Sequence, residues 1–184
     1  MAFDITAFRG NLQGDGARPN LFEVSLVFPA ILGYANANQK VAFMCKSASI
    51  PGSTVGTVLL QYFGREVKLA GNRTFAPWTV TILNDEDWVV RTGFEKWLNA
   101  LNSHVGNQRL SGAGNSLGYT VDASVKQYAK TGGDAVATYK FVGLFPTDLS
   151  QIDLDWGSND TIEEFTVTFD YQYWSHTDNG AGIV

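Results

Sequence analysis

The chain is poor in the residues that enzymes and metal sites draw on. It has a single cysteine, Cys45, and two histidines, His104 and His176, among 184 residues. A lone cysteine excludes an intrachain disulfide and fits a reducing compartment. No two Cys or His residues stand at zinc-ligand spacing. The simplest reading is core packing for Cys45, because a free buried cysteine behaves as a small hydrophobe, and capping or solvent for both histidines. Nowhere do 18 apolar residues run together, so no membrane-spanning helix is expected. The opening MAFDITAFRG lacks the cationic-then-apolar pattern of a secretory signal, which places synthesis in a cytoplasm. Charge is sparse at 17%, and the 13 basic residues are scattered without a run, under a formal net charge of −5. Duplex binding is driven largely by Lys and Arg releasing counterions, so specific nucleic-acid binding is disfavoured.

Glycines and aromatics are plentiful instead: 19 glycines and 13% aromatic residues favour short strands and frequent turns. The length fits one domain over residues 1–184, with residues 1–20 as an irregular N-terminal arm and 175–184 as a tail. A chain of this size buries about 70% of its unfolded surface, enough for a core without disulfide or metal. Period-2 alternation predicts strands over Leu21–Phe28, Val41–Lys46, Thr57–Phe63, Arg65–Leu69 and Trp78–Ile82. Further strands are predicted over Tyr119–Tyr128, Ala137–Phe145 and Ile162–Trp174, with polar or glycine-rich loops over 33–39 and 106–118. All five prolines, at 19, 29, 51, 77 and 146, fall at strand boundaries. One helix is predicted over about 85–103, with Asn84 as N-cap, acidic residues in its first turn, and Val90, Phe94, Trp97 and Leu101 on one face. The order of strands, one helix, then strands implies a mainly β, α+β fold: an antiparallel sandwich or barrel flanked by a helix.

Motifs with chemical meaning fail on inspection. The run Gly112-Ala113-Gly114-Asn115-Ser116-Leu117-Gly118 imitates a dinucleotide fingerprint, but its third glycine falls one position late. It also follows a predicted helix rather than a strand. Asp153, Asp155, Asn159, Asp160 and Glu164 invite a calcium loop, but Ser158 stands where the sharp turn needs glycine. Trp156 and Trp174, at a turn and a strand end, leave open a carbohydrate-stacking module. On the last predicted strand, Phe165, Val167, Phe169, Tyr171 and Tyr173 form an apolar face opposite Thr166, Thr168, Asp170 and Gln172. That second face reads either as ordinary solvent-facing surface or as the lining of a channel.

An ordered series of segments carries a family resemblance from about Leu21 to Trp174. It comprises Phe28-Pro29, the Cys45-Lys46-Ser47 strand end before Pro51-Gly52, Gly64-Arg65 and the Gly71–Phe75 turn. Pro77-Trp78, Asn84-Asp85, Gly143-Leu144-Phe145-Pro146 and Asp153-Leu154-Asp155-Trp156 complete it. In this order the chain resembles the tail tube proteins of contractile-tailed bacteriophages. The resemblance implies a non-enzymatic virion protein without cofactors, whose subunits form stacked hexameric rings inside a sheath. The rings would conduct the tape-measure protein and then DNA, with baseplate and tube-terminator proteins at the ends. It also implies an extended hairpin over about 47–74. Within it Val58, Leu59, Leu60, Tyr62, Phe63 and Arg65 are candidate ring-contact residues, an apolar run of the kind that marks interaction sites. Thr166, Thr168, Asp170 and Gln172 become candidate lumen residues. A tube of another contractile injection or type VI secretion machine is the neighbouring reading.

Overall fold

The computed structural model describes residues 5–12, 14, 16–34, 36–178 and 181–183. Residues 1–4, 13 and 15 of the predicted arm, and 179, 180 and 184 of the tail, lie outside them. In chain order the strands are β1 (Phe22–Leu26), β2 (Cys45–Ala48), β3 (Ser53–Tyr62), β4 (Arg65–Phe75) and β5 (Trp78–Leu83). They continue with β6 (Val121–Tyr128), β7 (Ala135–Leu149), β8 (Glu164–Asp170), β9 (Tyr173–Asp178) and β10 (Ala181–Ile183). The helices are α1 (Ile5–Asn11), α2 (Asn36–Met44), α3 (Val89–Leu101) and the single turn α4 (Ser116–Tyr119).

The strands pair antiparallel in the order β1-β6-β7-β8-β5-β2, with β9 and β10 attached through β7. Alternation dictates the inner face. Trp78, Val80 and Ile82 of β5 are buried, as are Phe165, Val167 and Phe169 of β8. Direct pairing of Val80 with Val167 and Ile82 with Phe165 puts both sets on one side. Val24 and Leu26 of β1 with Ala123 and Val125 of β6 close the core from the other half.

Strand β7 is long because it serves both halves. Residues 137–142 pair with β9, and Phe145 to Leu149 pair with β8. The corner falls at Gly143, whose φ of 68° lies in the left-handed region. That conformation favours glycine, and a Cβ there would also push on the Gln172 side chain, whose Cγ would lie 2.9 Å away. Strands that turn between packed sheets do so at such bends. The same corner breaks the single strand predicted over Ile162–Trp174. The chain leaves β8 after Asp170, Gln172 N donates to Val142 O at 3.0 Å, and β9 begins at Tyr173. Alternation therefore does not continue through Tyr173, which is half exposed.

Helix α3 covers the core as predicted, burying Val90, Phe94 and Trp97 on one stripe. Gly93 lies on this stripe because a Cβ there would stand 2.7 Å from the Phe28 ring. Trp97 Nε1 donates to Tyr119 O at 2.9 Å, which satisfies its polar edge inside the core. The start is corrected. Asn84 is not the cap; the helix opens after Trp88, at φ 54°, and Asp87 Oδ1 accepts from Val89 N at 3.1 Å. Asn84 is spent on the residue before β8 instead, its N donating to Glu163 O at 2.8 Å and its Nδ2 to Glu163 Oε2 at 2.9 Å.

A second correction concerns Val41–Lys46, predicted as a strand. A strand would place Val41 and Phe43 on one face, yet Val41 is buried and Phe43 is 84% exposed. The residues are helical up to Met44, with Ala37 and Val41 in the core at the i, i+4 spacing of one helix face. The strand reduces to Cys45–Ala48. Lys40 of α2 bridges to Asp85 at 2.5 Å and to Asp87, tying this helix to the segment before α3. Part of the arm is also helical, over Ile5–Asn11, and buries none of its residues.

Candidate assembly surfaces

Strands β3 and β4 form a two-stranded sheet of their own. Ten residues of β3 at about 3.4 Å each make a projection of roughly 30 Å. An isolated hairpin is marginal in water, so its mounting matters. Trp174 Nε1 donates to Gly52 O at 3.3 Å and Trp78 Nε1 to Ser49 O at 2.9 Å. Tyr171 Oη donates to Ala76 O at 2.9 Å, and Phe75 packs on both the Tyr171 and Trp174 rings. Four aromatic side chains thus clamp both strands where they leave the sandwich. Beyond the clamp all of β3 is exposed, as is β4 up to Ala70.

The register sorts the hairpin into two unlike faces. Val58 pairs with Leu69, Leu60 with Val67 and Tyr62 with Arg65, so one face is almost wholly apolar. Thr57, Leu59 and Gln61 pair with Ala70, Lys68 and Glu66 on the other, a mixed face suited to water. The predicted contact residues therefore divide: Val58, Leu60, Tyr62 and Arg65 stand together, and Leu59 faces away. Phe63 sits at the tip, 91% exposed, with φ 44° ahead of Gly64 at φ 78°. Such turns favour Asn-Gly, and a left-handed phenylalanine costs on the order of 1 kcal/mol. The Arg65 guanidinium has no ion-pair or hydrogen-bond partner among the described residues. Val67 and Leu69 complete the apolar face and went unnoticed in the sequence, where the β4 run is masked by Arg65, Glu66 and Lys68. Only the pairing register exposes them.

The predicted polar face of β8 also exists in part. Thr166, Thr168 and Asp170 point away from the core on β8, beside Glu164. Gln172 does not belong to it, since the corner removes it from the strand. Register adds neighbours that the single strand could not reveal. Thr79 lies opposite Thr168, Thr81 opposite Thr166, Ser47 opposite Thr81, and Asp148 opposite Thr168. Lys46 pairs with Glu164 along this side. The surface is a field of hydroxyls with an acidic balance. The Thr79/Thr81 alternation against Trp78, Val80 and Ile82 was the signal for it.

Other predicted features do not converge on chemistry. Cys45 is half-buried, its thiol is pushed up to about 12 by desolvation, and its Sγ donates to Ser47 O at 3.6 Å. At neutral pH it is a thiol, not a nucleophilic thiolate. His104 N donates to Asn99 Oδ1 at 3.3 Å beyond the end of α3, whereas His176 stacks on Tyr139 in the β7–β9 ladder. Among the described residues no group of three His, Cys, Asp or Glu could hold a metal. Trp156 is fully exposed on the 150–163 loop while Trp174 belongs to the hairpin clamp, so the two make no common sugar platform. No described helix is long and apolar enough to cross a membrane.

An antiparallel β sandwich carrying a clamped hairpin with an exposed apolar face defines the architecture. Comparison with known proteins places it more closely. Residues 17–177 match the phage tail tube protein family, and the chain belongs to that family. It is 36% identical over 171 residues to the tail tube protein gp19 of Enterobacteria phage T4, spanning 93% of this chain and 97% of that one. The tail tube protein of Serratia phage KSP90 is 24% identical over 169 residues, covering 91% of this chain and 93% of its own. The fold also matches a subunit of the sheath–tube complex of an extracellular contractile injection system. There the TM-score is 0.60 at 16% identity, with 96% of this chain and 99% of that chain covered. The chain is thus a structural tail tube protein of the phage family.

Proposed function

We propose that the chain is the repeating subunit of the tube, closing into hexameric rings that stack into a conduit for genome ejection. The observation that carries this reading is the apolar hairpin face, Val58, Leu60, Tyr62, Val67 and Leu69, which is exposed among the described residues. A protomer of this length has a radius of gyration of roughly 16 Å, too small to enclose a duplex alone. The sheet ends in the edge strands β1 and β2. Pairing of such edges between neighbours around a ring removes the hazard that open edges carry. The hydroxyl face of β8 and β5 then lines the lumen, where Thr166, Thr168 and Asp170 carry no cation and the one lysine beside them, Lys46, is paired with Glu164. The sheath packs outside, the tape-measure protein fills the lumen before DNA, and baseplate and terminator proteins close the ends. The hairpin and the N-terminal arm make contacts within and between rings. Synthesis and assembly take place in the host cytoplasm.

Deleting Thr57–Lys68 tests this reading by electron microscopy. The intact chain should give rings or hollow stacks at high concentration, and the deletion variant should stay folded and dispersed. A deletion variant that still built tubes would refute it. The same fold serves a contractile injection system. Capsid and packaging genes beside this one would assign it to a phage, and their absence to such a machine.

A further inference from the structure

Charge is unevenly laid out along the chain. Residues 96–121 contain no Asp or Glu, although the net charge is −5, and residues 141–184 contain no Lys or Arg. The fold turns each stretch into a surface.

The acid-free stretch builds a cleft of about 430 Å³. It lies between the second half of α3, the 108–111 segment beyond it and the Ala30–Leu32 turn. Ile31, Leu32 and Leu110 supply apolar walls, and Lys96 and Arg109 supply two exposed cations. Neither charged group has an ion-pair or hydrogen-bond partner among the described residues. Aromatic rings position them instead: Lys96 Nζ lies 4.1 Å from the Tyr34 ring centre, and Arg109 Cζ 5.2 Å from that of Tyr119. Contact with a ring face leaves N–H donors free for an anion.

The base-free stretch carries the 150–163 loop. Here Asp153 and Asp155 alternate with Leu154, 78% exposed, and the fully exposed Trp156. The two carboxylates accept hydrogen bonds from within the loop, from Gln151 Nε2 at 3.1 Å and Gly157 N at 3.0 Å. They meet no cation among the described residues. The loop therefore offers apolar anchors and unpaired anions, where the cleft offers apolar walls and unpaired cations. Trp and Arg side chains dominate the energetics of protein interfaces.

The two surfaces stand at opposite ends of one helix. The loop is tied to the start of α3, where Arg91 Nη1 donates to Ser150 O at 2.7 Å, and the cleft lies against its end. The 13 residues of α3 span roughly 20 Å. Unlike patches on identical chains make a heterologous contact, which repeats from copy to copy. Resting on the tube reading, which supplies the neighbouring copy, we propose that this cleft takes the 150–163 loop of a second copy. Leu154 and Trp156 cover the apolar walls, and Asp153 and Asp155 meet Lys96 and Arg109. No hairpin residue takes part.

Cross-linking tests the pairing. Ser111 lines the cleft and Ser158 lies on the loop, and both are exposed. In a Cys45→Ala background, Ser111→Cys, Ser158→Cys and the double variant would be treated with a short bis-maleimide under tube-forming conditions. On denaturing gels the double variant should give a ladder well beyond dimer, because each copy carries both partners, and the single variants should not. A double variant without a ladder, in a sample where microscopy shows tubes, would overturn the loop contact and leave the tube reading standing. Charge exchange is the second arm. The pair Lys96→Glu and Arg109→Glu, and separately the pair Asp153→Lys and Asp155→Lys, should each raise the concentration needed for tubes roughly tenfold, since like charges then face each other. Uniting all four substitutions should recover most of that loss, with circular dichroism checking that every variant is folded. A combined variant no better than the worse pair would also overturn the contact. Failure of the intact chain to form tubes at any concentration would overturn both readings.

Discussion

The sandwich and the hairpin are built from similar residues and treat them in opposite ways. In the sandwich, Trp78 stacks on Phe141 with ring centroids 4.4 Å apart, and Phe94, Trp97 and Phe169 share one aromatic cluster. In the hairpin, Leu60 and Tyr62 are as apolar as anything in the core yet stay more than half exposed. The first region gains its free energy within the chain. The second leaves about half of each large side chain in water, so covering it would add on the order of 1 kcal/mol per side chain. Substitutions in the sandwich should therefore be read in monomer stability, and substitutions in the hairpin in assembly.

Trp97→Ala should show the largest effect. It removes a fully buried indole and its bond to Tyr119 O, and should cost about 3–5 kcal/mol in denaturant unfolding. Gly93→Val should follow, since any Cβ collides with the Phe28 ring; overpacking of this kind costs about 1–3 kcal/mol. The pair Leu60→Ser and Tyr62→Ser should invert the pattern. Unfolding should shift by less than about 0.5 kcal/mol for each exposed site, whereas tubes should be lost in electron micrographs. A large loss of monomer stability in that variant would break the distinction between the two regions. Phe63→Asn should stabilise the isolated chain slightly, because asparagine tolerates the left-handed conformation, and should weaken tube formation.

The smallest effects are titrations. Asp85 and Asp87 are held below their ordinary value of 3.8 by hydrogen bonds from Lys40, and Lys40 is raised above 10.5 by the same contacts. The carboxylates contribute above 3.8 and lose that contribution as the pH falls through their lowered values. Lys40 contributes below 10.5 and loses it as the pH rises through its raised one. Both carboxylates are solvent-exposed and Lys40 is partly so, so Lys40→Ala should shift the acid unfolding midpoint only slightly. Cys45 should resist alkylation at neutral pH until the chain is denatured, which mass spectrometry would read directly.

The sandwich strands were legible in the sequence because a half-buried strand writes its burial as alternation, as in Trp78, Val80 and Ile82. The stripe of α3 was legible for the same reason at helical period. Short helix α2 was not, since Val41 and Phe43 satisfy alternation by chance while only Ala37 and Val41 reach the core. The corner at Gly143 was hidden because a bend leaves no periodic trace, and it cost Gln172 its place on the polar face. Of the hairpin, the apolar run on β3 could be read but its sidedness could not. Which of Leu59 and Leu60 faces the apolar partners depends on the register across Gly64.

A cryo-EM map of the tube assembled from this chain tests the central claim most directly. The account predicts stacked rings in which Val58, Leu60 and Tyr62 are buried against neighbouring copies and Asp170 faces the lumen. Hairpins extended into solvent, with those side chains uncovered in an otherwise complete tube, would contradict it.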